Sequence, residues 1–345
     1  MAYTTIDKSD DYFNTNLWTG TGSTQSITGV NFQPDWLWVK TRSTTANHRS
    51  QNSVIGAEYG MNPNQNVAEG FLSDCVTSFD SDGFTLGADS QGYVNTSSRT
   101  YVGWSWLASN STASNTDGSI TSTVSANTTS GFSIVSYTGS GSAATIGHGL
   151  STSPSMILVK NRSTAYSWIV YHKSLGATKN LYLDLANAAD TASIQFNDTE
   201  PTSSVFSVGT SLATNKSGDN LIAYCFAEKK GFSKFGSYTG NNNADGPFIY
   251  TGFKPAFILI KNSTAAADWH IRDNKRDTYN ASTHFLVPNS SAAEVTLGEK
   301  IDLLSNGFKI RQTGGKLNDS GNVYIYMCFS ENPFVTSTGI PACAR

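Results

Sequence analysis

The feature that most constrains the fold of this chain is a seven-residue pattern that occurs three times. Each copy is a proline, one variable residue, four apolar residues and a lysine, and an aromatic-Thr-Gly turn precedes it. The copies are Pro34–Lys40, Pro154–Lys160 and Pro255–Lys261, and the turns are Trp18–Gly20, Tyr137–Gly139 and Tyr238–Gly240. Recurrence at a fixed period indicates one structural unit per copy.

A third landmark follows at a nearly constant distance. It is an aromatic-rich segment that occurs at Tyr101–Trp106, Leu221–Phe226 and Tyr324–Phe329. The distance along the chain from the lysine of each pattern to the last aromatic residue of the segment is 66, 66 and 68 residues. The first two copies start 120 residues apart and the next two 101, so about 19 extra residues, a linker with one extra strand, separate repeats 1 and 2.

These spacings predict three domains and their boundaries. We expect repeat 1 at 1–109, a linker with a possible extra strand (Ile120 to Val124) at 110–130, repeat 2 at 131–230, repeat 3 at 231–336 and a tail at 337–345. Units of about 100 residues are long enough to close their own cores. The long first connection predicts a mobile tether for repeat 1, whereas the short second junction predicts a fixed relation between repeats 2 and 3.

The local patterns predict strands. The four apolar residues of each pattern, bounded by proline and polar residues, indicate a strand buried on both faces. Val102, Trp104 and Trp106 share one parity of the next landmark and are expected to face a core. Asp82-Gly83 and Asn306-Gly307 predict hairpin turns. Leu185 to Ala192 is the one weak helix candidate. The predicted fold class is all-β, with three tandem β-sandwich domains of jelly-roll type favoured over immunoglobulin-like ones.

The composition excludes several classes of partner. Charged residues are 14% of the chain and the net charge is −3, so no basic surface is expected for nucleic acid or anionic lipid. No apolar run is long enough to cross a membrane, and Met1 to Lys8 lacks the regions of a secretory signal. We therefore expect a protein made in the cytoplasm that binds neither nucleic acid nor membrane.

The four cysteines show neither a metal-ligand spacing nor a disulfide framework. Cys225 and Cys328 share one repeat position and are expected to be inert core thiols. The lysines Lys40, Lys160 and Lys261, with Arg42 and Arg162 behind them, are expected to mark a strand that leaves the core for solvent, or else to take part in subunit contacts.

No constellation predicts an enzyme. The five histidines never fall three or four residues apart, and no nucleophile, paired carboxylates or phosphate-binding loop stands out. Asp80-Ser81-Asp82-Gly83 could be half of a calcium loop. A turn is favoured, because Asp80 aligns with Leu304 and Asp82 with Asn306. No catalytic residue, metal or cofactor is expected.

A sugar site is the one ligand site that the sequence suggests. Exposed aromatic rings stack on sugars while neighbouring polar groups bind the hydroxyls. The candidates surround one repeat position and are Trp168, Tyr171, Trp269, His270 and Arg272. The alternative, that these tryptophans are core residues, is favoured. Repeat 1 has His48 at this position, so it would lack the site.

The repeated motifs resemble those of a known class of proteins. Tyr137-Thr138-Gly139, the run from Pro154 to Ser163 and Tyr224 to Glu228 resemble tandem lectin-like, concanavalin-type β-sandwich repeats of phage virion proteins, many of them tail fibres. Both ends of the chain also look like the ends of such proteins. The resemblance implies a fold but no defined catalytic set.

The resemblance implies a non-enzymatic virion protein, a tail fibre or appendage for host-surface attachment. Its implied partners are other virion proteins, copies of itself, with a trimer favoured, and host surface glycan. One alternative is a capsid decoration or head-fibre protein. Another is a free carbohydrate-binding adhesin, for which a secretion signal would be expected.

Overall fold

The computed structural model describes residues 3–341 and shows an all-β protein, as the sequence predicts. Each repeat contains a large antiparallel sheet with a small antiparallel sheet against its outer face, which is a sandwich arrangement. Helix is confined in the described residues to four short segments: a 3-10 turn at Ser9–Asp11, α1 at Ser193–Phe196, α2 at Leu212–Asn215 and α3 at Gly315–Asn318.

Repeat 1 forms nine strands. They are β1 (Phe13–Thr19), β2 (Gln25–Thr28), β3 (Trp36–Thr41), β4 (Arg49–Asn52), β5 (Gly56–Met61), β6 (Gly70–Phe71), β7 (Val76–Asp80), β8 (Gly83–Leu86) and β9 (Thr100–Trp106). The large sheet has the order β1-β9-β3-β4-β5-β6, and the small sheet has the order β2-β8-β7. The predicted hairpin turn lies between β7 and β8, where Gly83 begins the second strand.

Repeat 2 and the segment before it form ten strands. They are β10 (Ala113–Asn115), β11 (Ser122–Asn127), β12 (Phe132–Thr138), β13 (Ala144–Gly147), β14 (Met156–Asn161), β15 (Ile169–His172), β16 (Lys179–Tyr182), β17 (Asp190–Thr191), β18 (Val205–Val208) and β19 (Asn220–Phe226). The large sheet has the order β10-β11-β12-β19-β14-β15-β16-β17, and β13 pairs with β18.

Repeat 3 forms seven strands. They are β20 (Ser233–Thr239), β21 (Phe248–Tyr250), β22 (Phe253–Asn262), β23 (His270–Asp273), β24 (Ile301–Leu304), β25 (Gly307–Ile310) and β26 (Val323–Pro333). The sheets have the orders β20-β26-β22-β23 and β21-β25-β24. The second predicted hairpin turn joins β24 to β25.

The strands of the seven-residue patterns, β3, β14 and β22, are buried on both faces, as predicted. On the outer side each large sheet packs against the small sheet of its own repeat, and this gives three separate outer cores. On the inner side the three large sheets pack against one another. A single central core therefore takes residues from all three repeats.

Equivalent aromatic residues meet inside the central core. The last inner residues of β9, β19 and β26 are Trp106, Phe226 and Phe329. Their ring centroids lie 5.8 to 6.5 Å apart, and each pair is edge to face at 64° to 71°. Edge-to-face pairs stabilise by about 0.5–1.5 kcal/mol beyond area burial. The repeats are thus arranged around a pseudo-threefold axis, and these three rings surround it.

The segment between repeats 1 and 2 differs from the expected mobile tether. It forms two strands, not one, and β11 extends the large sheet of repeat 2 by pairing with β12. Repeat 1 is also held by contacts with both other repeats, so its position is fixed. The helix candidate Leu185 to Ala192 is wrong: it forms a loop and the short β17, and the nearby α1 begins only at Ser193.

Candidate functional site

The structure buries all five residues that the sequence suggested as sugar contacts. Trp168, Trp269, His270 and Arg272 are each 1% exposed, and Tyr171 is 2% exposed. The two indole rings belong to the central core. A sugar cannot stack on a ring that has no exposed face, so the favoured alternative, a core position, fits the structure.

These residues also lie on opposite faces of their sheets, because side chains alternate along a strand. Tyr171 packs in the outer core of repeat 2, and its hydroxyl donates to the carboxylate of Glu200. His270 stacks on Phe285 with ring centroids 4.3 Å apart. The guanidinium of Arg272 donates to the carbonyl of Ser282 at 2.9 Å. The five residues therefore do not converge on one site.

The repeat position that carries the tryptophans instead links each repeat to its neighbour. In each repeat a ring nitrogen at this position bonds a backbone carbonyl of the preceding repeat. The three pairs are Trp168 Nε1 to Asn62 O (3.0 Å), Trp269 Nε1 to Tyr182 O (2.8 Å) and His48 Nε2 to Val287 O (3.0 Å). Repeat 2 bonds repeat 1, repeat 3 bonds repeat 2 and repeat 1 bonds repeat 3, so the links form a closed ring.

The same position is fixed within its own repeat. Its backbone N–H donates to a side-chain oxygen of the same repeat. The residue that carries this oxygen lies two positions after the residue of that repeat whose carbonyl accepts from the next repeat. The pairs are His48 with Asn64, Trp168 with Asp184 and Trp269 with Asn289, at 2.9 to 3.0 Å. The two-residue offset between the carbonyl and the side-chain oxygen is the same in all three copies, so the link is a repeated element of the fold.

Histidine replaces tryptophan in repeat 1 without loss of the link. Trp38 donates its Nε1–H to His48 Nδ1 at 2.9 Å, so that nitrogen is the acceptor. The proton of the neutral imidazole then lies on Nε2, which donates to Val287. Burial holds the pKa of His48 well below its usual value, and this keeps the ring neutral.

A second set of equivalent residues bonds in the opposite direction. They lie at the end of β4, β15 and β23, and each contacts the last strand of the next repeat. The pairs are Asn52 Nδ2 to Tyr224 OH (2.8 Å), His172 Nε2 to Tyr326 O (3.1 Å) and Asp273 Oδ2 from Trp104 Nε1 (3.0 Å). Burial lowers the pKa of His172 to about 4, so this histidine is also neutral at pH 7.

Two of the three interfaces carry an arginine–glutamate pair. Arg162 binds Glu69 at 2.7 Å, and Arg42 binds Glu294 at 2.9 Å. The equivalent residues at the third interface are Ser263 and Ala189. All three interfaces share a backbone hydrogen bond of 2.9 Å at this place. The N–H groups of Glu69, Ala189 and Glu294 donate to the carbonyls of Arg162, Ser263 and Arg42, respectively. The salt bridges thus reinforce a contact that the backbone already defines.

The lysines of the seven-residue patterns do not lead into solvent, which corrects the expectation from the sequence. Lys40, Lys160 and Lys261 have no exposed surface. Lys40 donates to the carbonyl of Thr41 at the end of β3, and Lys160 donates to the carbonyl of Tyr166 in the loop after β14. Lys261 donates to the carbonyl of Ala267 in the equivalent loop and to that of Ala186 in repeat 2 at 3.0 Å. Burial lowers the pKa of each lysine to about 8. The alternative expectation for these positions is a role in subunit contacts. Arg42 and Arg162 do make contacts, but with glutamates of neighbouring repeats of the same chain.

Repeats 1 and 3 share a buried ionic network. Arg276, whose side chain is fully buried, binds Asp273 at 2.6 Å and Glu294 at 2.9 Å. Asp273 also accepts from Trp104 of repeat 1, and Glu294 accepts from Arg42. Truncating one partner of such a network leaves an uncompensated buried charge. This network closes the ring between the first and last repeats.

Other sequence candidates have local structural roles. Asp82 accepts from the N–H groups of Gly29 and Asn31, and Asp80 accepts from Ser78 and Thr85, as expected of a turn. No group of three metal-ligating side chains occurs within residues 3–341. Cys225 and Cys328 are buried, as predicted, and Cys75 is buried too. Cys343 lies outside the described residues. In the same part of the chain, no helix has the length and apolar character of a membrane span.

The geometry defines a class of protein: an all-β ring of three sandwich repeats that share one core. The family model for a domain of unknown function (DUF7483) matches residues 8–333, and the chain belongs to this family. The match spans all three repeats. No curated protein and no solved structure matches the chain.

Sequence reasoning missed the residues that build the ring. The sequence shows His48 as the counterpart of Trp168, and on the sugar-site hypothesis this replacement means only a lost sugar contact. A signal is present in the sequence, because Asn64 and Asp184 both lie 30 residues after the pattern proline and Asn289 lies 34 residues after it, and each offers an amide or carboxylate oxygen. No local pattern, however, shows that a side chain will contact a neighbouring repeat.

Proposed function

We propose that this chain is a non-enzymatic structural protein of a phage virion, a component of a tail fibre or appendage that takes part in host-surface attachment. The observation that carries the proposal is the closed ring. In this ring the inner faces of the three large sheets are used to pack the repeats against one another. The virion context rests on the resemblance of the repeated motifs described above.

The ring favours a compact module over an extended rod. Three sandwiches placed end to end would add length, whereas here their large sheets meet in one core. A compact module suits the end of a fibre, where a rigid surface meets the host. Tyr3 donates to the carbonyl of Gly252 in repeat 3 at 2.7 Å, and the N–H of Ser337 donates to the carboxylate of Asp7 at 2.6 Å, so the two described ends of the chain contact each other.

A capsid decoration or head-fibre protein is the second candidate, and the pseudo-threefold ring favours it specifically. Icosahedral shells contain threefold positions, and a unit with three similar sides can make three similar contacts there. This candidate keeps the virion but removes the host receptor.

We include self-association in the proposal, with a trimer as the expected state. Oligomerisation multiplies weak surface contacts through effective concentration. The test is sedimentation velocity on the purified 37.0 kDa chain. A trimer would support this part of the proposal, and a monomer at micromolar concentration would remove it, because the threefold contacts would then all be intramolecular.

The experiment that tests the location is immunogold electron microscopy of intact particles with an antibody against this chain. Antibody pre-incubated with excess purified protein, which blocks its binding sites, serves as the control. Gold at the tail tip or its appendages supports attachment, and gold over the head supports decoration. A chain present in infected cells but absent from purified particles would overturn both.

A further inference from the structure

Three equivalent grooves lie between neighbouring repeats. One wall of each groove is the first strand of a repeat with the turn after its second strand. The other wall is the chain just after the last inner aromatic residue of the preceding repeat. Because the repeats form a ring, the three grooves can be compared with one another directly.

The groove of repeat 2 is filled by the chain's own strand β11. This strand pairs with β12 in antiparallel register and also reaches the other wall. There Ser125 Oγ accepts from the N–H of Ser109 at 3.1 Å, and Asn127 donates to the carbonyl of Ala108 at 3.0 Å. On the near wall, a Cβ on Gly149 would lie 3.0 Å from the side chain of Ala126.

Ion pairs lie across part of the groove of repeat 3. Lys173 and Lys234 both bind Glu228 at 2.6 Å, and Glu228 occupies the wall position of Ala108. Tyr3 borders the remaining cleft of about 340 Å³ and donates to Gly252 at 2.7 Å. The chain's own residues therefore fill the groove of repeat 2 and place ion pairs in the groove of repeat 3.

The groove of repeat 1 is open. It is a cleft of about 390 Å³ between β1 and the segment Ser330–Asn332 of repeat 3. Gly29 is the counterpart of Gly149, since each lies five residues before the pattern proline and has a positive φ, +77° and +72°. A Cβ on Gly29 would meet nothing within 4 Å. The space that β11 fills in repeat 2 is empty here.

The open groove offers hydrogen bonds to a strand. β1 pairs with β9 alone, so its other edge is free. The N–H of Thr15 donates to Asn14 Oδ1 at 2.9 Å and not to β9. The backbone groups of Thr15 therefore point away from β9, towards the free edge. By alternation, Phe13 and Leu17 also point their backbone groups outward. Thr15 Oγ1 is buried without a partner, and Leu17 is 40% exposed.

The charges of the walls favour an uncharged occupant. Glu331 is neutralised by Lys254 at 3.2 Å, and Asp10 accepts from Asn31 at 3.0 Å, with Lys275 on the opposite wall. The occupant of the matching groove, β11, has the sequence Ser-Thr-Val-Ser-Ala-Asn, which is small and uncharged. Asp10 and Lys275 place opposite charges on the two walls, so a charged segment that gives up hydration here meets a like charge as well as an opposite one.

We propose that the groove beside β1 binds an extended, uncharged segment of a partner polypeptide as an added antiparallel strand, as β11 does in repeat 2. Main-chain hydrogen bonds would supply affinity, and the small side chains would supply the fit. This site goes beyond the proposed function, because it would exist whether or not the chain belongs to a virion.

The test uses the full chain and a fluorescent synthetic peptide with the sequence of residues 119–130, which contains β11. We expect saturable binding by fluorescence anisotropy. Asn332→Trp places a large ring at the rim of the cleft and should weaken binding at least tenfold. Ala266→Trp, at a distant exposed loop, is the matched control and should leave it unchanged. Binding that survives Asn332→Trp would place the peptide elsewhere and overturn the proposal.

Two further peptides keep the test decisive if Asn332→Trp does not fold. One carries proline at the Thr123 position, and the other is N-methylated at the Ser125 position; these two residues alternate with Val124 and point their backbone groups towards β12 in the native pairing. Both should lose at least tenfold in affinity, because each removes a backbone donor of an added strand. Equal affinity of all three peptides, or no saturable binding at millimolar concentration, would overturn the proposal. So would saturable binding of N-acetylglucosamine at this cleft without peptide binding, which would assign it to a saccharide.

Discussion

Trp168 of repeat 2 donates its indole N–H to the carbonyl oxygen of Asn62 in repeat 1 at 3.0 Å. A residue that an isolated repeat would expose is thus used to join two repeats. The same bond recurs at each interface, so the stability of the protein depends on closure of the ring as much as on its individual sandwiches.

Replacing Trp168 therefore tests the ring. Trp168→Ala should lower the free energy of unfolding by about 3–5 kcal/mol, because it leaves a large cavity and a buried carbonyl without a donor. Trp168→Phe keeps most of the volume and should cost less. Urea denaturation measures both, and Tyr279→Ala, at an 81% exposed side chain, is the control. A stable Trp168→Ala protein that loses only cell attachment would return this residue to a sugar site.

A missing salt bridge can be installed at the third interface. Ser263 and Ala189 occupy the positions of Arg162 and Glu69, and a cleft of about 400 Å³ lies beside them. Ser263→Arg with Ala189→Glu should give a favourable coupling free energy of about 0.5–1 kcal/mol in a double-mutant cycle. The two single variants serve as controls. A coupling of zero in low salt would show that the interface cannot adopt the geometry of its counterparts.

Arg276 should be among the residues least tolerant of truncation. Arg276→Ala leaves Asp273 and Glu294 buried without their shared cation, and the expected loss is about 3–5 kcal/mol. Lys8→Ala removes an exposed pair with Asp11 and should leave the free energy of unfolding almost unchanged, because water and salt screen such a pair. Thermal and urea unfolding compare the two. Similar small losses in both variants would mean that the network does not hold the ring closed.

The buried lysines predict a pH dependence. Lys160 has a pKa of about 8 when folded and the usual 10.5 when unfolded. Between these values the unfolded chain binds more protons, so stability from this residue rises with pH and is constant below about 8. Relative to Lys160→Met, the wild type should gain at most about 1.4 kcal/mol per pH unit. The exposed Lys179→Met variant should show no such slope, and a flat difference for Lys160→Met would contradict the assignment.

An isolated repeat should not form a native core. Residues 131–230 alone would expose the inner face of their large sheet, including Trp168, Tyr224 and Phe226, to water. We expect a species that binds the dye ANS, lacks near-ultraviolet circular dichroism and unfolds without cooperativity. Cooperative unfolding of this fragment would show instead that each repeat closes its own core.

The local sequence predicts much of this fold because strands depend on nearby residues. The apolar runs of β3, β14 and β22, the parity of Val102 and Trp104, and the glycine turn before β8 all act within a few residues. These predictions are confirmed. The loop at Leu185 to Ala192 was missed because alanine content favours a helix only where tertiary packing permits one.

The sequence by itself determined the number of repeats, the position of their central strands and the presence of two covered faces on each. Only the tertiary structure decided what covers the inner face. An apolar parity specifies burial, but the hydrophobic effect is non-directional and does not specify the partner. The partner is set by bonds such as that from Trp269 to Tyr182, whose donor and acceptor lie 87 residues apart. The buried Lys261 follows the same reasoning, because its carbonyl partners come from a loop and a neighbouring repeat that meet only in the folded ring.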